Sequence, residues 1–368
     1  MLNRPHLIGS EIFRRTGQGS MHPLASPKVS AMIDLVRALD WLEEDIYVDS
    51  PKATPARLQR FHEPAYIEAV MDAEATQSVS PEVRERYGIG TYDNPIFRGI
   101  FSRAATACGA TIKAVQLLAN DGIVHSPSGG AHHGQPARAS GCCYFNDPVL
   151  GILSMLDAGL TRICYIDIDA HHGDGVEAAF YFNRDILTIS VHEAGCWPFT
   201  GTESEPERGV INFAVPPGFN DSEMAFLFND FILPLVENQG PEAIIIQTGA
   251  DSLADDLMME LALSNRAHAS VVKTLMRAAP RLLVLGGGGY NPCAVARCWA
   301  GIWAVMNDIE VPERLPEAGE AVLRELAQQH LSLGHKPPEH WFTTLADEPS
   351  TGKIRESVKQ VAADVIRL

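Results

Sequence analysis

The chain has 368 residues, 46% of them hydrophobic and 20% charged, which allows a large core without disulfide staples. Its 29 Lys and Arg against 46 Asp and Glu leave a net charge of −17, which argues against general binding to nucleic acid or to anionic membranes, and mildly for cationic substrates. The seven cysteines are scattered with no Cys-x-x-Cys pair, no signal peptide is seen, and no apolar run nears the ~20 residues that span a bilayer, so a reduced, cytoplasmic protein is expected and a homo-oligomer is compatible with it.

In chain order, Leu7–Phe13 is expected to be a first strand, followed by a Gly/Ser/Pro-rich loop from Gly17 to Pro27 whose His22-Pro23 would form rim structure. Val29, Met32, Ile33, Val36, Leu39 and Leu42 repeat at helical spacing. Thr54-Pro55 caps a short helix through Leu58, and Pro64 opens another. Residues 74–95 are polar and carry Pro and Gly, so they read as a surface loop that includes Asp93. An Ala-rich helix spans Ile100–Leu118.

A short strand at Ile123-Val124 leads into Gly129-Gly130-Ala131-His132-His133-Gly134, then into Gly141-Cys142-Cys143-Tyr144-Phe145-Asn146-Asp147 and a helix to about Ala158. The apolar run Ile163–Ile166 reads as a strand buried on both faces. It ends in Asp167-Ile168-Asp169-Ala170-His171-His172-Gly173-Asp174-Gly175, and a helix begins near Val176. Further strands are expected at Ile186–Val191, Val210–Val215, Ala243–Gln247 and Leu282–Leu285. Helices are expected at Ser222–Val236, with Ser222 as N-cap, at Asn265–Ala278 and at Val295–Val305. The remainder is Pro-punctuated and helical from about Ile354. Alternating strands and helices without internal repeats predict one α/β domain: a mainly parallel multi-stranded sheet with helices on both faces, and a helical extension over about 310–368 packed on it.

Four strand ends then carry the chemistry: His132-His133, Asp167 to Asp174, Asp251, and Tyr290 after four glycines. A crevice at the carboxyl edge of the sheet would gather them. A polar loop with capping aspartates is the competing reading, and it would suit a lone Asp-x-His better than this dense pattern. Asp169, His171 and Asp251 would supply three protein ligands and leave a position open, the pattern of catalytic zinc. Two carboxylates and one imidazole form a harder set than usual, so Fe(II), Co(II) or Mn(II) also suit it. His132 and His133 suit acid–base work near neutral pH, with Asp167 and Asp174 free to fix their tautomers. The Tyr290 hydroxyl could donate to an oxyanion. The glycine run lacks the Lys-Ser/Thr of a phosphate loop.

Together these stretches, with Ala296-Arg297-Cys298-Trp299, resemble the zinc-dependent histone deacetylase family and its bacterial relatives, within the arginase/deacetylase superfamily. They occur in family order over most of the chain. The resemblance implies zinc on Asp169, His171 and Asp251, His132 paired with Asp167, His133 paired with Asp174, and Tyr290 as oxyanion donor. It also implies a structural potassium ion held by carbonyls of Asp167, Asp169, His171 and Val191, by the Asp167 carboxylate and by the Ser190 hydroxyl. Asp93 matches a rim aspartate that grips the substrate backbone.

The chain also departs from the family pattern. Ala131 stands where many members are bulkier, and Cys142 stands where the acyl-lysine tunnel beside Gly141 usually has Phe. Trp197 or Phe199 is offered as the other wall. Lys28 replaces an arginine near the acetate-release cavity. Met258 stands where polyamine-selective members carry a carboxylate. The expectation is a metal-dependent amidohydrolase that removes acetyl, or longer acyl, groups from lysine side chains of a protein or from a lysine-like small amine. Acetylpolyamine hydrolysis is the alternative. A non-catalytic acyl-lysine binder and a two-manganese ureohydrolase fit less well, because no ligand is broken and no second carboxylate follows Asp251 until Asp255.

Overall fold

The computed structural model describes residues 4–14, 24, 26–330 and 336–366. The expected His22-Pro23 rim lies outside the described residues. Eight strands form one sheet: β1 His6–Gly9, β2 Tyr47–Asp49, β3 Gly122–Ser126, β4 Ile163–Asp167, β5 Ile186–Glu193, β6 Val210–Val215, β7 Ala243–Gln247 and β8 Arg281–Leu285. Their order is β2-β1-β3-β8-β7-β4-β5-β6, and every pairing is parallel.

The apolar runs are continuous because both faces of the sheet are covered. Successive side chains of a strand point to opposite faces. Accordingly, Cys164 and Ile166 of β4 join one core while Ile163 and Tyr165 join another. The first core includes the helices Lys28–Ala38, Asn265–Leu275 and Pro292–Met306. The second includes Ile100–Leu117, Asp147–Asp157 and Asp174–Phe180. Beyond residue 310, Leu323, Phe342, Leu345, Val358 and Ala362 are buried in the first core.

The register positions the site. Ser126 of β3 pairs with Leu285 of β8, Leu285 with Gln247 of β7, and Gln247 with Asp167 of β4. Four adjacent strands therefore end at the same level in the middle of the sheet. Their four following loops emerge side by side, where open α/β sheets bind ligands.

Several elements differ from the sequence-based expectation. β1 stops at Gly9, and Glu11–Phe13 is a 3₁₀ turn. Within 74–95, Pro81–Tyr87 is a helix, its Ser80 hydroxyl accepting from the Val83 N–H and Pro81 occupying the first turn. The cap of the helix starting at Asp221 is Asn220, not Ser222. Asn220 accepts from the Ser222 and Glu223 N–H groups, and Glu223 closes a capping box. That helix runs Asp221–Leu227, passes through a π turn at Phe228–Ile232, and continues as Leu233–Gln239. β2 was not expected. It is a three-residue edge strand, only partly buried, which leaves little apolar signal. The C-terminal part holds the helices Glu317–His330, His340–Thr343 and Glu356–Ile366.

Candidate active site and metal centre

The loop after β4 leaves the sheet at Asp167, so Asp169 and His171 lie just beyond the last paired residue. Asp251 reaches the same point from the 3₁₀ turn Ala250–Ser252 after β7. One ligand atom from each of Asp169, His171 and Asp251 lies within 4.8 Å of the others. The Nδ1 of His171 sits 3.1 Å from Asp169 Oδ1 and 3.0 Å from Asp251 Oδ2. Both carboxylates are buried and the imidazole nearly so. Burial, then the charge of Asp169, pushes the Asp251 carboxyl up. Two buried carboxylates facing one imidazole are costly without a cation, and a divalent ion answers that charge. The donor set therefore fits a metal.

The backbone holds these groups closely. Asp169 Oδ2 accepts from the Gly288 N–H at 2.7 Å, and Asp251 Oδ1 accepts from the Ala170 N–H at 2.9 Å. A Cβ at Gly288 would lie 1.9 Å from Asp251 Oδ2, so only glycine permits this approach.

His132 and His133 arrive from the loop after β3, their ring centroids 3.9 Å apart. His132 Nδ1 bonds Asp167 Oδ2 at 2.7 Å, and His133 Nδ1 bonds Asp174 Oδ1 at 2.7 Å. The two environments diverge. Burial opposes protonation of His132, but the charges of Asp167 and Asp169 outweigh it and raise the imidazole to about 9. Burial, then the adjacent His132, holds His133 down at about 3. A proton on one ring disfavours a second on the other, so the pair behaves as a one-proton unit. A cation on Asp169 would draw the His132 value down.

Tyr290 lines the same cavity, and burial, then the charge of Asp251, pushes its phenol up, keeping it an O–H donor. Its backbone N–H donates to Asp256 Oδ2 at 2.8 Å, while Asp256 Oδ1 accepts from Met258 and Met259. Asp256 thus couples the Tyr290 loop to the loop of Met258. The cavity has a volume of about 450 Å³ and includes Asp93, Gly141, Cys142, Trp197 and Met258. Trp197 forms one wall, its ring edge-on to His133 at 4.6 Å. Gly141 has φ +49°, and a Cβ there would lie 2.4 Å from the Trp197 ring. Cys142 follows with φ +66° and lines the cavity on a second side. Lys28 lies among the cavity residues, its Nζ donating to the Gly287 carbonyl at 2.8 Å, and burial lowers its pKa.

Phe199, the alternative wall, has φ +62°, is 71% exposed and is not among the residues that line the cavity. Asp255, the carboxylate weighed as a second-metal ligand, bonds His340 and lies outside the metal cluster. Four supporting groups escaped sequence reasoning: Asp256, Gln247, Tyr165 and Asp147. Tyr165 donates to Asp167 Oδ2, and Gln247 donates to Asp169 Oδ2. Asp147 accepts from the Gly130 and Ala131 N–H groups, holding the loop of the His pair. Asp147 closes the Gly141–Asp147 stretch that carries the family resemblance, and the acidic pair Asp255-Asp256, so close after Asp251, is the signal for Asp256.

The chain matches the histone deacetylase domain family over residues 22–306. It belongs to that family. Histone deacetylase 9 of Arabidopsis thaliana is 39% identical over 321 residues, covering 84% of this chain and 74% of that protein. Putative histone deacetylase 2 of Caenorhabditis elegans is 35% identical over 316 residues, covering 81% of this chain and 60% of that protein. Among solved structures, an HDAC homolog from Aquifex aeolicus superposes with a TM-score of 0.93 at 32% identity, covering 99% of this chain and 100% of that one. An HDAC homolog complexed with SAHA gives a TM-score of 0.91, also at 32% identity and with the same coverage. The deacetylase fold is thereby shown, as a single α/β domain, and the family is one of deacetylase hydrolases. No helix among the described residues is long and apolar enough to cross a membrane.

Proposed function

We propose that the protein hydrolyses the N-acyl amide of a lysine side chain, with acetyl as the basic acyl group. The observation that carries this reading is the convergence, on one cavity, of the Asp169–His171–Asp251 cluster, the carboxylate-paired histidines and the Tyr290 hydroxyl. Asp169, His171 and Asp251 would hold zinc, with Fe(II) or Co(II) suited to the same donors. When bound, such an ion supplies a Lewis acid that activates water and polarises a carbonyl.

The chain's own groups do the rest. Tyr290 donates its O–H to the acyl oxygen as that oxygen gains charge. The His132–His133 pair takes the proton released by the attacking water, and His133 delivers one to the departing amine nitrogen. Asp167 and Asp174 fix the tautomers by accepting from the two Nδ1–H groups. Asp93 at the mouth would grip the substrate backbone. A structural potassium ion near Asp167 and Ser190 is supported by their direct pairing across β4 and β5, both buried. A cytoplasmic setting remains the reading from cysteine usage.

A panel of acetyl-lysine peptides, acetylpolyamines and longer acyl-lysines, run with metal content measured by elemental analysis, tests the reading. Acetate release from the peptides with one transition ion per chain is expected. Failure to cleave any acyl-lysine peptide in metal-replete protein would overturn it, and two ions per chain would favour a binuclear hydrolase.

A further inference from the structure

Tyr290 follows Gly286-Gly287-Gly288-Gly289, and glycine is the residue that restrains a backbone least. Most of the run is nevertheless pinned. The Gly286 carbonyl accepts from the Thr248 N–H at 2.9 Å, and the Gly287 carbonyl from Lys28 Nζ at 2.8 Å. The Gly288 N–H donates to Asp169 Oδ2, and its carbonyl accepts from the Ala250 N–H at 3.0 Å. Gly289, at φ +130°, then leads directly into Tyr290. Among the described residues no hydrogen bond holds the Tyr290 hydroxyl, so the ring is aimed from its backbone, where the N–H donates to Asp256 Oδ2 at 2.8 Å.

Asp256 is neither part of the metal cluster nor one of the residues that line the cavity. Both of its oxygens are occupied by backbone donors. Oδ1 accepts from the Met258 and Met259 N–H groups at 2.8 and 3.1 Å, which is all that a local Asx turn requires. Oδ2 is left for Tyr290, in a charge-assisted bond that reaches across 34 positions. The support beneath this carboxylate is braced. The Asp256 N–H donates to the Leu253 carbonyl at 3.0 Å, the Ala254 N–H donates to the Leu263 carbonyl at 2.9 Å, and Leu253 is buried in the first core. The Asp255 carbonyl accepts from Asn291 Nδ2 at 2.9 Å, and Asn291 caps the helix Pro292–Met306. The span from Asp251 to Asp256 therefore carries a carboxylate of the metal cluster at one end and the hold on Tyr290 at the other.

We propose that Asp256 is the positioning residue of Tyr290: through the Tyr290 N–H, its carboxylate sets where the phenol stands relative to Asp169, His171 and Asp251. The proposal rests on the reading of Tyr290 as oxyanion donor. Such a donor must stand about 3 Å from the oxygen that gains charge, and a misplacement of about 1 Å costs on the order of 10² in rate. The glycines before Tyr290 cannot supply that precision by themselves, because they leave the backbone many conformations. Only a carboxylate offers two acceptor oxygens at this length, one for the turn and one for Tyr290; an amide would keep one and turn a donor toward the other N–H. Since Asp256 does not line the cavity, its effect on the reaction passes through Tyr290.

The test measures kcat, KM and metal content of the full-length protein and of Asp256→Ala, Tyr290→Phe and the double variant, on one acetyl-lysine peptide. Asp256→Ala is expected to keep its metal and to lose roughly tenfold in kcat, with KM within about threefold. In the Tyr290→Phe background the same substitution should change kcat by less than about twofold, because the group it positions no longer donates. A residue that merely shapes the turn would cost the same factor in both backgrounds. That result, an undiminished kcat, or loss of the metal overturns the proposal. Should the alanine variant not fold, Asp256→Asn is measured in its place, and the same outcomes decide. If the native protein cleaves no acyl-lysine peptide, or Tyr290→Phe keeps its full kcat, the underlying reading falls, and amide hydrogen exchange decides the positioning alone. Exchange of the Tyr290 N–H about tenfold faster in the Asp256 variant supports it, and unchanged exchange ends it.

Discussion

The floor and the mouth of the cavity are built on opposite principles. At the floor, both oxygens of Asp167 and Asp169 and the Oδ1 of Asp251 accept from backbone N–H groups, His132, Tyr165 and Gln247, while Asp251 Oδ2 faces His171 Nδ1. Each group is fixed by a strand end and by its neighbours, so one change disturbs several bonds. At the mouth, Cys142, Trp197 and Met258 stand on loops and are partly or largely exposed. On the proposed reading, the reaction would rest on the buried network and the choice of substrate on the loop side chains.

The largest expected effect breaks the floor. Asp251→Ala removes one of the three proposed ligands and the acceptor of the Ala170 N–H, so metal and activity should both be lost. Full metal occupancy in the purified variant, by elemental analysis, would contradict the ligand assignment. Next, Tyr290→Phe should retain metal and fold but lose roughly 10²–10³ in kcat, the usual loss for one oxyanion donor. An unchanged kcat would remove Tyr290 from the reaction.

A third prediction tests whether the floor's scaffold is locked in one protonation state. His62 is buried, its Nδ1–H donating to the Gln135 carbonyl and its Nε2 accepting from the Asn146 N–H. Burial holds its imidazole down at about 4. The unfolded chain, near 6.5, then binds the proton more readily, so this contribution is present above pH 6.5 and is lost as pH falls toward 4. The loss should be of order 3 kcal/mol. Denaturant unfolding between pH 7 and 4 measures it, and a His62→Gln variant should show a shallower fall. An equal slope in both proteins would clear His62 of the effect.

The smallest expected effect is at the mouth. Cys142 fills much less space than the Phe whose ring would bury about 150–250 Å². The gap should admit acyl chains longer than acetyl, at ~0.8 kcal/mol per buried methylene. Cys142→Phe should therefore raise the acetyl-to-butyryl ratio of kcat/KM. A change within about twofold, under ~0.5 kcal/mol, would mean that Cys142 does not shape the pocket.

The same contrast explains what could be read from sequence. The floor was legible because buried parallel strands are continuous apolar runs, and the residues that end β3, β4, β7 and β8 carry the histidines, aspartates and glycines in plain order. The mouth was less so. That Phe199 has a left-handed φ and does not line the cavity is announced by no spacing. The bond from Tyr290 to Asp256 links positions 34 apart, and only the assembled loops reveal it. β2 and the helix Pro81–Tyr87 were missed because one is short and half-exposed, and the other is polar over most of its surface.

Arg297 sets a practical limit on shortening this protein. The family match ends at 306, which invites cutting the chain there. The guanidinium of Arg297 is fully enclosed, bonding the Thr344 carbonyl at 2.7 Å and Asp347 at 2.6 Å, with Asp255 at 3.7 Å. Deleting the tail would remove Thr344 and Asp347 and leave that cation only Asp255, at 3.7 Å, on the segment that carries Asp256 and, through it, Tyr290. A buried charge deprived of its partner costs about 3–5 kcal/mol, a large fraction of what keeps a domain folded. Expression boundaries, tags and fusions are thus better placed beyond Ile366 than at the edge of the family match.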